Sequence, residues 1–487
     1  MVTMESSTEA ALAADAPLVA AWLAYRARTV TPFTVPGHKG AAGRLWPALG
    51  SVLDGDVPHY GGLDSVKLTA GVLADAEARA ARLWGGDWCR FSTGGSTHAN
   101  QVLALAVGQP GDTVLVARAA HRSTLLGLVM AGLTPVWLPT TVDERFGLPT
   151  GVREAALRSA LAAHPTARAV LLVEPGYLGA ISDLPALIAT AHRAGVPVLV
   201  DQAWGAHFGF HPDLPAHALA LGADAMVMSA HKTLPAYSQA SIIVARTQRL
   251  DPHRLDRAFE AANTTSPAGS ILASTDGARA LLAARGEPLL GTLIATVARA
   301  RERLRHLAGV RAPGPEDFEP GRFDAAKLVV LLAGSGASGI EVEQDLLAAG
   351  LPVEMADHDT VVPIVTLADT ETAVDRLVEV LGAAIARDGG PPRALGAAGQ
   401  WGTSAVAAMT PREAFFARHR TLTAAAAVGQ VCAEVVAPYP PGVPVLVPGE
   451  LVSAEVIEAL QSVQAAGTRI AYAADPTLRT LQVVAER

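Results

Sequence analysis

Two neighbouring stretches decide the fold: VLVDQAWGAHFGF (198–210) and MVMSAHKTLPAYSQASIIVA (226–245). Each opens on a short apolar run and switches at once to small and polar residues, Asp201 after the first run and Ser229 to Lys232 after the second. Working outward, similar runs at 113–116, 135–138, 169–173, 197–200, 225–228 and 241–245 alternate with Ala- and Leu-rich stretches at 123–131, 152–164 and 184–194. Strands that are apolar on both faces, alternating with helices, predict an α/β fold with a parallel sheet covered on both sides. Ligands of such sheets sit beyond the carboxyl ends of the strands, so the residues just after each run are the ones that matter.

The remaining sequence falls into flanking pieces. Residues 1–55 read as an N-terminal helix (roughly 9–28) and a Pro/Gly-rich loop, TPFTVPGHKGAAG; residues 56–290 form the large domain. A helical connector at 286–307 leads into a small α/β domain (291–388) with strand-like KLVVLLAG, a helix at 339–349, and the pair PVEMAD and VVPIVTL. The Gly/Pro-rich stretch ARDGGPPRALGAAGQ opens a C-terminal domain at 389–487. Over the 487 residues, half are hydrophobic and 17% charged, enough for a substantial core. A net charge of -8 argues against a nucleic-acid surface. No uninterrupted apolar stretch has membrane-spanning length, and MVTMESSTEA lacks the pattern of a secretory signal. Two cysteines, Cys89 and Cys432, exclude a disulfide scaffold or a Cys-rich metal site, and no metal is expected. The reading is a soluble, cytoplasmic protein. Lysine occurs only at positions 39, 67, 232 and 327, which narrows the search for a reactive amine.

An acid ending one strand and a lysine ending the next is the arrangement that pyridoxal 5'-phosphate requires. The lysine carries the cofactor aldehyde, and the carboxylate of Asp201 pairs with the protonated pyridine nitrogen. Ala203 leaves room for the ring face, and Ser229 and His231 flank Lys232 in position to reach the phosphate. CRFSTGGSTHANQVLALAV (89–107) supplies a second anion element: Gly94 and Gly95 free the backbone, Ser96 and Thr97 offer hydroxyls, and a helix begins close by. The same GGST also makes a plain helix cap. His121, just past the run at 113–116, is placed to stack on the ring or to sit in solvent as a loop residue.

These segments together resemble the Orn/Lys/Arg decarboxylase family, major class, in its short bacterial form without the receiver-like N-terminal domain of the long members. The resemblance rests on TPFTVPGHKG (31–40), FSTGGSTHANQ (91–101), AAHRS (119–123), DQAWGAHF (201–208), SAHKTLPAYSQAS (229–241), NTTSPAGSILASTD (263–276), VEMADHDTV (353–361), MTPREAFFA (409–417) and APYPPGVPVLVPGE (437–450), in that order over nearly the whole chain. It implies the aspartate-aminotransferase-like fold, PLP fold type I, with a mainly parallel seven-stranded sheet flanked by helices and smaller C-terminal α/β domains. It also implies Lys232 as the Schiff-base lysine, Asp201 on the pyridine nitrogen, His121 on the ring, and Ser96, Thr97, Ser229 and His231 on the phosphate. Thr265 or Ser266 would reach the cofactor of a neighbouring subunit, making a homodimer or larger homo-oligomer with shared active sites.

The implied reaction is decarboxylation of arginine, lysine or ornithine to the amine, in polyamine biosynthesis, with Lys232 or His231 returning a proton to Cα. Acids for the substrate's distal cation are Glu174, Glu354, Asp357 and Asp359; Trp204 and His207 follow Asp201 closely enough to line the channel. His38 or Lys39 in PGHKG either reaches the site or simply forms a turn. The chain departs from the family pattern at Gln202, at LDSVKLTAG (63–71) and at VEPGYLG (173–179). Glu174 in the last would bind a cationic group, act on the cofactor's phenolic oxygen, or lie in a network away from the ring. Those departures keep open a different outcome on the same cofactor, as an aminotransferase, a deaminase or oxidase, or another lyase, and more remotely a non-catalytic regulatory relative.

Overall fold

The structure is a computed structural model that describes residues 6–28, 32–57, 63, 71–394, 406–439 and 442–485. Lys67 and most of LDSVKLTAG, Pro440 and Pro441 of PYPPG, and the end of the Gly/Pro-rich stretch (395–400) lie outside the described residues. Seven strands form the central sheet: β1 (Trp88–Ser92), β2 (Thr113–Ala117), β3 (Thr134–Leu138), β4 (Val170–Val173), β5 (Val198–Asp201), β6 (Ala225–Ser229) and β7 (Ser241–Ala245). Their order is β1-β7-β6-β5-β4-β2-β3. β7 runs antiparallel to both β1 and β6, and the other pairs are parallel.

Alternation along the strands explains why the runs carry no polar face. Leu115, Leu172, Val200, Met226, Met228 and Ile242 enter one buried cluster. Their neighbours Val114, Val116, Leu171, Leu199, Val227 and Ile243 enter the cluster on the other side. Helices Val72–Leu83, Leu184–Arg193 and Gly269–Arg305 cover the first face; Gly95–Val107 and Pro252–Ala262 cover the second. Each fully buried aliphatic side chain contributes about 1.5–3 kcal/mol of transfer free energy, so both faces are strongly specified.

Helix Gly269–Arg305 runs unbroken for 37 residues, starting well before the connector read from sequence at 286. Gly277 and Gly286 weaken the local helical signal, but a Cβ at either would press on Val19 or on Leu282 and Phe210, so these sites serve close packing. The helix is long and apolar enough by length and composition to cross a membrane. Its Leu272, Leu282, Leu290, Val297 and Leu304 are nonetheless part of the main core.

Beyond it, Val330–Leu331, Met355–Ala356 and Thr360–Val362 make a three-stranded antiparallel sheet with the last strand in the centre. Helices Gly339–Ala348 and Glu371–Asp388 accompany it. The C-terminal residues form two short two-stranded sheets, His419–Thr423 with Thr480–Val484 and Ala437–Tyr439 with Arg469–Ala471, and helix Ala454–Ala465. They enclose a separate core around Cys432, Val436, Leu446, Leu460 and Val483. A buried ion pair, Arg118 to Glu450 at 3.1 Å, ties this part to the loop after β2.

Candidate active site

The carboxyl ends of β5 and β6 lie side by side and deliver Asp201 and Ser229 to one end of the sheet. Asp201 is buried; its Oδ1 accepts from the Ala203 N–H at 3.1 Å and its Oδ2 from Asn100 Nδ2 at 2.7 Å. Asn100 also donates to Ser123 Oγ at 3.0 Å. Ser123 in turn meets His121 Nδ1 through its hydroxyl at 2.8 Å and its N–H at 3.2 Å. A backbone N–H can only donate, so Nδ1 is the acceptor and the neutral ring carries its proton on Nε2. Burial pushes the His121 pKa down, opposed by the Asp201 charge. His121 caps helix Arg122–Ala131, so one network runs from Asp201 through Asn100 and Ser123 to a neutral, oriented imidazole.

On the other side, Ser96 Oγ lies 2.7 Å from Ser229 Oγ and 3.2 Å from Ser241 Oγ. Ser96 stands in the first turn of the 13-residue helix Gly95–Val107. Gly95 has a φ of +66°, and an added Cβ would meet only Gln239 Cα, at 3.9 Å, so the helix end faces open space. Thr97 is exposed beside it. Three clustered hydroxyls at a helix N-terminus are suited to a phosphate. His231 donates from Nδ1 to Ala240 O at 2.8 Å, and burial lowers its pKa.

Lys232 follows in the short helix Ala230–Thr233, its Nζ 4.3 Å from the Trp204 ring centre. Burial lowers its pKa while Asp201 and Glu354 raise it. Trp204 packs edge-on against Tyr177 with centres 5.1 Å apart, and Tyr177 donates to Glu354 Oε1 at 3.1 Å. A second amine, Lys327, lies 4.1 Å from the same tryptophan ring.

The other expected residues are placed as follows. Glu174 accepts from the Ser182 N–H at 3.0 Å and from the Ser182 hydroxyl. It lines a cavity with Gln202, Phe208 and Arg322 that includes neither Asp201 nor Lys232. Burial raises its pKa to about 7. His207 is buried against Asp324, with Nε2 3.1 Å from Oδ1, and lines a cavity with Trp204, Thr233 and Lys327. Asp357 accepts from the Asp359 N–H at 2.9 Å and closes its own turn, while Asp359 pairs with Arg393 at 3.0 Å. Gln202 bridges its loop, donating to Gly205 O and accepting from the Ala218 N–H, each at 2.7 Å. PGHKG forms a turn in which His38 meets Asp56 at 3.2 Å and Lys39 donates to Thr34 O. Thr265 and Ser266 are exposed just before helix Gly269–Arg305. Sequence reasoning missed Asn100, Ser123, Ser241, Tyr177 and Lys327. Asn100 lies one helical turn after Ser96, and Lys327 is one of four lysines; those were the available signals.

The donor set fits pyridoxal phosphate: a buried carboxylate for the ring nitrogen, a neutral imidazole, hydroxyls at a helix end for the phosphate, and a primary amine with a burial-lowered pKa. Fold and site together define a fold type I pyridoxal-phosphate enzyme. The chain belongs to the Orn/Lys/Arg decarboxylase family, whose major domain matches residues 16–328 and whose C-terminal domain matches residues 400–470. It is similar to the arginine decarboxylase of Halalkalibacterium halodurans, 32% identical over 481 residues, 96% of this chain and 98% of that one. It resembles the arginine decarboxylase of Bacillus subtilis as well, 31% identical over 483 residues, 97% and 98% of the two chains. The fold matches that of the solved lysine decarboxylase A from Pseudomonas aeruginosa with a TM-score of 0.81 at 20% identity, covering 98% of this chain and 81% of that one. The protein is a pyridoxal-phosphate-dependent decarboxylase of a basic amino acid.

Proposed function

We propose that the substrate is arginine, with agmatine and carbon dioxide as products. The observation that carries this reading is the likeness, over nearly the whole length of both chains, to relatives that bear the name arginine decarboxylase. Bound at this site, pyridoxal phosphate supplies an electron sink for the charge left at Cα when the carboxylate departs. Lys232 would hold the cofactor through its amine. Asp201, which accepts from Asn100 and the Ala203 N–H, would pair with the ring nitrogen. His121 would stack on the ring, and Ala203 would leave space for it. Gly95, Ser96, Thr97 and Ser229 would hold the phosphate, and His231 would join them through Nε2 when protonated.

The Cα–carboxylate bond breaks to release carbon dioxide, and Cα takes up one proton. Lys232 is the better donor for it. His231 spends its Nδ1 proton on Ala240 O, and burial disfavours a second proton. Glu354, beside Tyr177 and close enough to raise the Lys232 pKa, receives the distal cation. A homodimer in which Thr265 or Ser266 reaches the neighbouring site, a cytoplasmic location and a place in polyamine biosynthesis complete the reading.

The test incubates holoenzyme with arginine, lysine and ornithine and follows carbon dioxide, ammonia and keto acid separately. Agmatine and carbon dioxide in equal amounts from arginine is the expected result. Keto acid or ammonia as the main product would overturn the decarboxylase outcome, and faster turnover of lysine would overturn the substrate.

A further inference from the structure

Lys327 stands beside the site, against the Trp204 ring that Lys232 also touches, and has no part in the chemistry above. It lies in FDAAKLVV (323–330), which leads into the small sheet. Its backbone is pinned at both ends, the N–H donating to Asp324 O at 3.0 Å and the carbonyl accepting from Arg301 Nη2 at 3.1 Å. Its stem runs across Gly179, where a Cβ would come within 2.9 Å of Lys327 Cγ. That path carries Nζ to 4.1 Å from the centre of Trp204 and 5.3 Å from Tyr177, the same aromatic wall that Lys232 touches.

Lys327 as a residue is 6% exposed, and among the described residues its Nζ makes no hydrogen bond and has no carboxylate within ion-pair distance. Asp324, three positions earlier, is occupied by His207 at 3.1 Å and by the Ala326 N–H at 2.9 Å. Burying a cation is costly, and burial brings the Lys327 pKa down to about 8 although the charges of Asp324 and Glu354 oppose it. It still carries its proton at neutral pH for most of the time, so a positive charge that the chemistry above does not use stands against the Trp204 ring.

A basic amino acid brings one anion to this place, its α-carboxylate, while its distal cation goes to Glu354. We propose that Lys327 receives the substrate's α-carboxylate, so that the site distinguishes the amino acid from the amine it becomes. Departure of carbon dioxide removes the carboxylate from Lys327 and leaves the amine product facing an ammonium, which favours its release. The proposal rests on the decarboxylase reading and names what that reading left open, the group that orients the substrate.

The experiment measures calorimetric binding to holoenzyme of two arginine fragments: 5-guanidinopentanoate, which keeps the carboxylate and lacks the α-amine, and agmatine, which keeps the amine and lacks the carboxylate. In K327M the carboxylate ligand weakens about 10- to 100-fold while agmatine binds as well as before or better, and K327R restores the carboxylate ligand. K327Q, which keeps a polar end, gives an intermediate loss. Equal weakening of both fragments, or no change in either, overturns the proposal. Wild-type enzyme that binds neither fragment marks failure of the arginine reading instead. The same comparison then runs with 6-aminohexanoate and cadaverine, and the same two outcomes decide it.

Discussion

Replacing Asn100 by Leu removes one donor of nearly the same size and leaves the rest of the site standing. Asn100 Nδ2 is 2.7 Å from Asp201 Oδ2 and both residues are buried, so the lost contact is a hydrogen bond to a buried carboxylate. Such bonds contribute about 1.5–3 kcal/mol, and no water-filled space beside them is needed to explain the cost of their loss. With Asp201 as the proposed partner of the cofactor's ring nitrogen, the deficit falls on cofactor binding, and about 1.4 kcal/mol per factor of ten converts it to a 10- to 150-fold rise in the dissociation constant for pyridoxal phosphate. The variant also releases Ser123 from its second partner and loosens His121, which adds to the loss and does not offset it. The assay is titration of the apo-protein with cofactor, read by the visible absorbance of the lysine-bound form, with thermal melting of the apo-protein as a check that the fold survives. Unchanged cofactor affinity in a folded N100L protein would refute the assignment of Asp201 and its network to the ring nitrogen.

Two further outcomes follow from buried charges outside the reacting centre. Glu174 has a folded pKa of about 7, above its ordinary 4.5. Its contribution to stability is therefore complete below about pH 4.5 and lost as pH rises through about 7, a cost of about 3 kcal/mol by pH 8. E174Q, which keeps both Ser182 contacts in a neutral form, should gain thermal stability relative to the parent between about pH 5 and pH 8, and parallel melting curves across that range would sink the idea. Arg118→Ala leaves Glu450 buried without its cation, a change that costs about 3–5 kcal/mol. Hydrogen exchange should then quicken in the C-terminal residues 406–485 while the seven-stranded sheet keeps its protection; a uniform change would contradict a local tie.

How much was legible in the sequence differs with the range of the interaction. Asp201, Ser229, Lys232, His121 and Ser96 all follow a strand or open a helix, and in a parallel sheet such positions converge at one end whatever the intervening loops do. Ser241 belongs to the same cluster, but it begins the antiparallel strand β7, and its approach to Ser96 depends on a pairing between residues 145 positions apart. Lys327 comes from beyond the long helix, so nothing local places it beside Trp204. The acids were hardest to read. Glu174 ends a strand next to Asp201, the position that suggests a site residue, yet Ser182 captures its carboxylate on another side of the sheet end. His207 sits six residues after Asp201, and its orientation is set by Asp324, more than a hundred positions away. Orientation at a strand end is set by such distant partners, and pattern alone does not contain them.

The central claim is that Lys232, and not the second amine against Trp204, carries the cofactor. Reduction of the holoenzyme with borohydride makes the lysine–cofactor bond permanent, and peptide mass spectrometry then locates it. The account predicts the phosphopyridoxyl group on Lys232 in the peptide containing SAHKTLPAY, with Lys327 unmodified. A label on Lys327, or none on either lysine in protein that shows the visible band, would contradict it.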